Sequence, residues 1–371
     1  MKWILGLLCL IFLIIFHEFG HFIAAKLFGV KVESFSVGFG PILFHKNFRG
    51  TDYRISLFPL GGYCGMKGEK DFQKAIDDNL NQIEAEPDSL YGVHPVKRAL
   101  IGFAGPFFNF LFAVLAFSVI SGIGYTYYTY SNKITIATEI YPELHSAAAE
   151  AGIKTGDRII SINGNKTEYF SDLISQVASR PDEDLQIEVD REGQLLTFTV
   201  HSDLDKKTGS GKIGLVADSS NVIAVETPKF GFFGAIADGS KKAFEAVGMT
   251  LKSLKILFKG VEVKNAVSGP ARVTDMLGST IKEGFSEGAK IGIISTLSLL
   301  AIISISLFIM NLLPIPVLDG GLILIALIEF ISRHKIRPKI QYYIQIIGFA
   351  FIIFIFLVGL TGDISYFTGR H

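Results

Sequence analysis

The sequence predicts a multi-pass α-helical membrane protein: four transmembrane helices, a cytoplasmic membrane-associated β-hairpin region and one extracytoplasmic α+β domain. Three observations predict it. Apolar residues make up 49% of the 371-residue chain, with 32 Phe and a mean hydropathy of +0.41, more than a soluble enzyme carries. Four segments, about Trp3–Ala25, Ala99–Ile123, Ile291–Leu313 and Ile340–Leu360, are apolar over the roughly 20 residues that a hydrocarbon core demands. From about Asn132 the chain turns mixed and β-rich, as a soluble insertion does.

Lys+Arg and Asp+Glu are both 35, so no global charge points to nucleic acid. The two cysteines, Cys9 and Cys64, fall in a membrane segment and in a loop beyond it, which excludes a cysteine-based zinc site. Met1-Lys2 before an apolar run imitates a secretory signal. The run is long and has no convincing small-x-small cleavage site, so it is expected to be retained.

The first segment carries the chemistry. Phe16-His17-Glu18-Phe19-Gly20-His21 sets three ionisable side chains inside an otherwise apolar helix, where a charged Asp, Lys or Arg costs roughly 2.5–3.5 kcal/mol and by default marks function. At i and i+4 both imidazoles leave one helix face and can take the same metal ion. Glu18 lies beside that face, able to reach a water on the metal without being a ligand. A proton relay or a polar packing cluster is the plainer alternative.

Orientation follows from the basic residues. Lys26, Lys31, Lys46 and Arg49 follow the first segment, Lys97 and Arg98 precede the second, and Arg333, Lys335, Arg337 and Lys339 link the third to the fourth. Those loops are expected in the cytoplasm, with both termini and the long segment between helices two and three outside. The first and third helices then both run inward, which brings Asn311–Gly321 to the side of the histidines. Asp319 there is the natural third ligand of a site that keeps its fourth position for water. Its alternative role is to cap a helix beginning near Leu322. Pro314 and Pro316 forbid regular helix. Irregular backbone at membrane depth survives only when buried or lining a wet cavity, so both prolines are expected at the substrate-binding site.

Between the first two helices, Val32–Gly65 alternates apolar and polar residues with Gly and Pro punctuation, predicting short strands in hairpins that fold back to the membrane. Gly68–Tyr91 is acidic and predicts a solvated linker or helix. Asn109, inside the second helix, fits helix packing better than catalysis. Phe230–Lys259 and Ala271–Glu287 show helical periodicity but are too polar to span, and are expected as interfacial helices or as packing against the soluble domain.

His17-Glu18-Phe19-Gly20-His21, Gly38-Phe39-Gly40-Pro41, Pro59-Leu60-Gly61-Gly62-Tyr63, Gly105-Pro106-Phe107-Phe108-Asn109 and the Asn311–Gly321 stretch occur in the order seen in site-2 proteases. The chain resembles the bacterial RseP-type branch over nearly its whole length. The resemblance implies an intramembrane zinc metalloprotease with one Zn2+ per chain, held by His17, His21 and Asp319, with Glu18 as the catalytic acid/base. It implies that Asn311 holds the substrate backbone near the metal, and that the hairpin region offers an open strand edge or merely covers the site. The implied substrates are single-pass membrane proteins, such as anti-sigma factors already cut once or signal-peptide remnants. The implied location is the bacterial inner membrane, with the active site toward the cytoplasm.

Ser146–Gly164, with its Gly156-Asp157 and Asn163-Gly164 turns, resembles the core of a bacterial PDZ domain, and Glu168–Ser179 the helix flanking its peptide groove. Such a domain either receives a peptide C-terminus or filters bulky ectodomains. The expected organisation is therefore 1–131 with the first two helices and β-loops, 132–226 PDZ-like, 227–289 amphipathic helices, and 290–371 with the last two membrane helices. The rival functions are an inactive PDZ-bearing membrane scaffold, against which a retained Glu18 argues, and a membrane zinc protease that trims prenylated proteins.

Overall fold

The computed structural model describes residues 1–218, 220, 222–257, 259 and 268–369. Its elements in chain order are α1 (Lys2–Leu27), β1 (Val32–Phe48), β2 (Thr51–Met66), α2 (Glu69–Asp77), α3 (Pro95–Ile123), β3 (Thr126–Tyr130), β4 (Ile134–Ile136), α4 (Ala137–Ile140), α5 (Ala147–Glu150), β5 (Arg158–Ile162), β6 (Asn165–Lys166), α6 (Phe170–Ala178), β7 (Glu183–Arg191), β8 (Gln194–Leu204), β9 (Gly211–Lys212), β10 (Leu215–Ala217) and β11 (Val222–Glu226). There follow α7 (Phe232–Leu257), α8 (Pro270–Ser286), α9 (Ala289–Leu312), α10 (Asp319–Ser332) and α11 (Pro338–Thr368). They form two units: Met1–Gly122 with Gly231–Val247 and Ser268–His371, and Ile123–Phe230 with Gly248–Val267.

In the first unit, α1, α3, α9 and α11 are long and apolar enough to cross a bilayer, the four segments expected. Backbone approach at glycine knits them together. A Cβ on Gly20 would lie 2.3 Å from the Ala104 carbonyl oxygen, so α1 and α3 touch main chain to main chain. With no hydrophobic drive between helices in lipid, such small-residue crossings supply the packing. The same device places α8, whose Gly278 admits the Lys2 carbonyl at the start of α1, while Asp363 of α11 accepts from the N–H of Ala271, the second residue of α8. The first half of α7 runs antiparallel to α3: Ala235 lies by Gly122, Gly239 by Ser118 and Phe244 by Phe110. Amphipathic periodicity alone pointed to the bilayer surface, but these small faces are spent on the membrane helices. Positions 258 and 260–267 of that expected stretch lie outside the described residues.

β1 and β2 bend back on themselves. Val32–Val37 pairs with residues 62–66 on one side and 52–55 on the other, and 42–48 pairs beyond 51–56, giving four ribbons in the order 62–66, 32–37, 52–55, 42–48. The turn of β1 falls at Gly38 and Gly40, with φ of +89° and +85°, values that favour glycine. Residues 62–66 are thus an edge, and no further strand pairs with them among the described residues.

The second unit is a small α+β fold built on the antiparallel sheet β6-β5-β7-β8-β9, with β4 paired to β10. Ile159, Ile162, Leu185, Ile187, Val189 and Val200 make its core. The Asn163-Gly164 turn joins β5 to β6 with both residues at positive φ, as a two-residue hairpin requires. The chain enters through β3 and leaves through β11, which pair from Thr126↔Glu226 to Tyr130↔Val222.

Candidate active site

One turn apart on α1, His17 and His21 present Nε2 atoms 3.3 Å from each other. Asp319, the first residue of α10, faces them, with Oδ2 3.2 Å from His17 Nε2 and Oδ1 3.2 Å from His21 Nε2. The N-cap of α10 is Leu318, so Asp319 turns toward the histidines and does not cap. Val317 sits two residues earlier at φ +84°. A β-branched residue there is strained by about 1–3 kcal/mol, in the turn that delivers the carboxylate.

The outer contacts fix which nitrogens are free. His21 Nδ1 lies 2.8 Å from the Ile101 carbonyl, which only accepts, so Nδ1 carries the proton and Nε2 keeps its lone pair. His17 Nδ1 lies 3.0 Å from the Asn109 carboxamide. Asn109 is fully buried, and its Oδ1 has no partner while its nitrogen faces the ring. Turned by 180°, the amide accepts from His17 Nδ1–H, which satisfies the oxygen and frees Nε2. Two imidazole nitrogens and the two Asp319 oxygens then converge with no proton between them, and Asp319 Oδ2 has no hydrogen-bond donor. That set needs a cation. A tetrahedral zinc with Zn–N and Zn–O distances of about 2.0–2.2 Å sets its ligand atoms about 3.3–3.6 Å apart, close to the 3.2–3.3 Å contacts that join the three residues in a triangle, each histidine to a different oxygen of Asp319. Gly105 keeps the place open, because a Cβ on it would stand 2.1 Å from His21 Nε2.

Beside this triangle lies a cavity of about 220 Å³ lined by His17, Glu18, Gly62, Asn109, Leu307 and Asn311, among others. The structure thus brings His17, Glu18, His21, Asp319 and Asn311 to one place. Pro314 and Pro316 shape the turn between α9 and α10 without lining the cavity, and Pro316 backs onto Gly348 of α11. The edge of β2 forms another wall, through Gly61 and Gly62. Asn109 is the residue that sequence reasoning set aside. Its i+4 spacing from Gly105 was the available signal, since both must then face α1.

A family model described as peptidase family M50 matches residues 5–355. The chain belongs to peptidase family M50. A protein of Treponema pallidum is 34% identical over 98% of this chain and 99% of its own length. One of Campylobacter jejuni is 34% identical over 97% and 92%, and one of Helicobacter pylori 32% over 98% and 99%. All three bear names that begin "Putative zinc metalloprotease". As an M50 member this protein is a zinc metalloprotease, and its four lipid-length helices fit an integral membrane one.

Proposed function

We propose that this M50 peptidase hydrolyses a peptide bond within or beside the membrane segment of single-pass proteins. The carrying observation is the grouping of His17, His21 and Asp319 next to a cavity that His17 and Glu18 line, with both histidines and Glu18 on a lipid-length apolar helix. His17, His21 and Asp319 would hold one zinc ion, and a bound zinc supplies Lewis acidity that polarises a carbonyl and makes water nucleophilic near neutral pH. The Glu18 carboxylate takes the proton of the attacking water and returns it to the leaving nitrogen. The Asn311 amide holds the substrate backbone, which has locally unwound and paired with the β2 edge. Burial among helices excludes bulk water from all but the cavity.

The finer reading is an RseP-type enzyme of the bacterial inner membrane, acting late in regulated intramembrane proteolysis on pre-cut anti-sigma factors or signal-peptide remnants. The basic loops favour an active site toward the cytoplasm, with the second unit, read as PDZ-like, outside. Ile213-Gly214-Leu215 borders a groove of about 670 Å³ beside α6, which suits a peptide C-terminus as well as a filter. The test is purified protein with a tagged single-pass substrate. About one zinc per chain and cleavage by wild type but not Glu18→Gln are expected. Cleavage that survives Glu18→Gln contradicts the mechanism.

A further inference from the structure

A second cavity, of about 400 Å³, lies further along β2, walled by Cys64, Met66, Phe72, Leu90, Tyr91 and Gln345, among others. Gly61 and Gly62 line the active-site cavity, so one edge strand borders both. Residues 62–65 keep regular register against β1, and side chains two apart share a face. Cys64 is therefore on the face that Gly62 turns to Glu18, and a Cβ on Gly62 would lie 3.6 Å from Glu18 Cγ.

We infer that this second cavity is a substrate subsite, receiving an apolar or aromatic side chain two to four residues from the scissile bond. The inference rests on the proposed pairing of substrate with β2. A strand advances about 3.3 Å per residue, so a substrate paired beside Gly62 passes Cys64 and Met66 two and four residues on. The walls are apolar and aromatic, with Phe72 and Tyr91 stacked at 5.7 Å. Gln73, Gln345 and the tyrosine hydroxyls supply uncharged polar atoms, and among the described residues no lysine, arginine or carboxylate lines the cavity. A charged side chain would lose its hydration there without a counter-ion, so the subsite selects against charge.

The test uses zinc-loaded full-length enzyme and a set of single-pass substrates with Ala, Leu, Phe or Asp at each of positions two to five on either side of the mapped cut. At one position Phe or Leu should raise kcat/KM about tenfold over Ala, the scale of a filled apolar pocket, and Asp should lower it. Gln345→Trp, which fills the cavity, should erase that preference, bringing kcat/KM for the Phe and Leu substrates down to that for Ala. In Glu18→Gln enzyme, a benzophenone residue at the preferred position should cross-link to Met66 or Leu90, a readout independent of turnover and of how the Trp variant folds. Cleavage that depends on Glu18 but shows no preference, or cross-links that avoid this cavity, overturns the subsite and leaves the peptidase reading standing. Cleavage independent of Glu18 overturns that reading instead.

Discussion

Asn109 sets which nitrogen of His17 is left for a metal. Its side-chain amide is the partner of the ring's second nitrogen and is fully buried, and the Ser304 hydroxyl donates to the Asn109 backbone carbonyl at 2.8 Å. Partners of that kind are worth about 10–100-fold in metal affinity. Asn109→Leu, similar in size but unable to accept, should weaken zinc binding by that factor in a chelator competition, and Asn109→Asp should retain more of it. Equal retention by Leu would show that the ring needs no partner. The histidines of the candidate metal site were legible because HExxH is a local spacing in an improbable place. Asp319 came from helix direction and count. The role of Asn109 depends on which face α3 turns to α1, and that is set by Gly20 and Gly105, whose meaning is a contact across more than 80 residues.

Single elements of the second unit hang on a few pairs, and the turn before β5 is one. Asp157 is 2% exposed, accepts from the Lys154 N–H at 2.9 Å and takes two bonds from Arg191 of β7 at 2.8 and 2.7 Å. Burial alone would raise its pKa, but the Arg191 and Lys154 bonds outweigh that and hold it below the usual carboxylate value. Its folded pKa is depressed, so its contribution is complete above the unfolded value of about 3.9 and is lost as pH falls below it toward the folded pKa. Asp157→Asn should cost about 3 kcal/mol at pH 7, at the low end for breaking a buried pair because Arg191 is partly exposed. The deficit should shrink as pH drops below about 4. Thermal melts of wild type and variant from pH 3 to 7 check this, and parallel curves would remove the pair from the account. Sequence reading found the Gly156-Asp157 turn from its residues, but it had no means to find Arg191, 34 positions away. The β3–β11 ribbon escaped it for the same reason, since its partners lie from 92 positions apart, at Tyr130 and Val222, to 100, at Thr126 and Glu226.

That ribbon determines how the whole molecule can be taken apart. The second unit's chain enters and leaves through strands that end at the Tyr130↔Val222 pair, so most of it is an insertion with adjacent ends, the kind a fold tolerates losing. Replacing residues 131–221 by Asn-Gly would close β3 and β11 as a two-residue hairpin and leave α3 and α7 joined as before. His17, His21, Asp319, Asn109 and Glu18 all belong to the first unit, so the shortened protein should bind zinc like wild type. What it then cuts separates the two uses of the insertion. A filter needs only bulk, so without it a substrate with a short ectodomain should be cleaved at an unchanged rate, and a full-length one that wild type refuses should become a substrate. A receptor that recruits a peptide C-terminus into the groove between α6 and β10 would instead make the short substrate slower. Leu173→Glu in the intact chain would then reproduce the loss, since Leu173 lines that groove and is 3% exposed. The filter is the expected outcome, because cleavage needs the substrate strand at β2 and Glu18, and neither lies in the removed segment. Loss of short-substrate cleavage in a deletion protein with full zinc content would decide for the receptor.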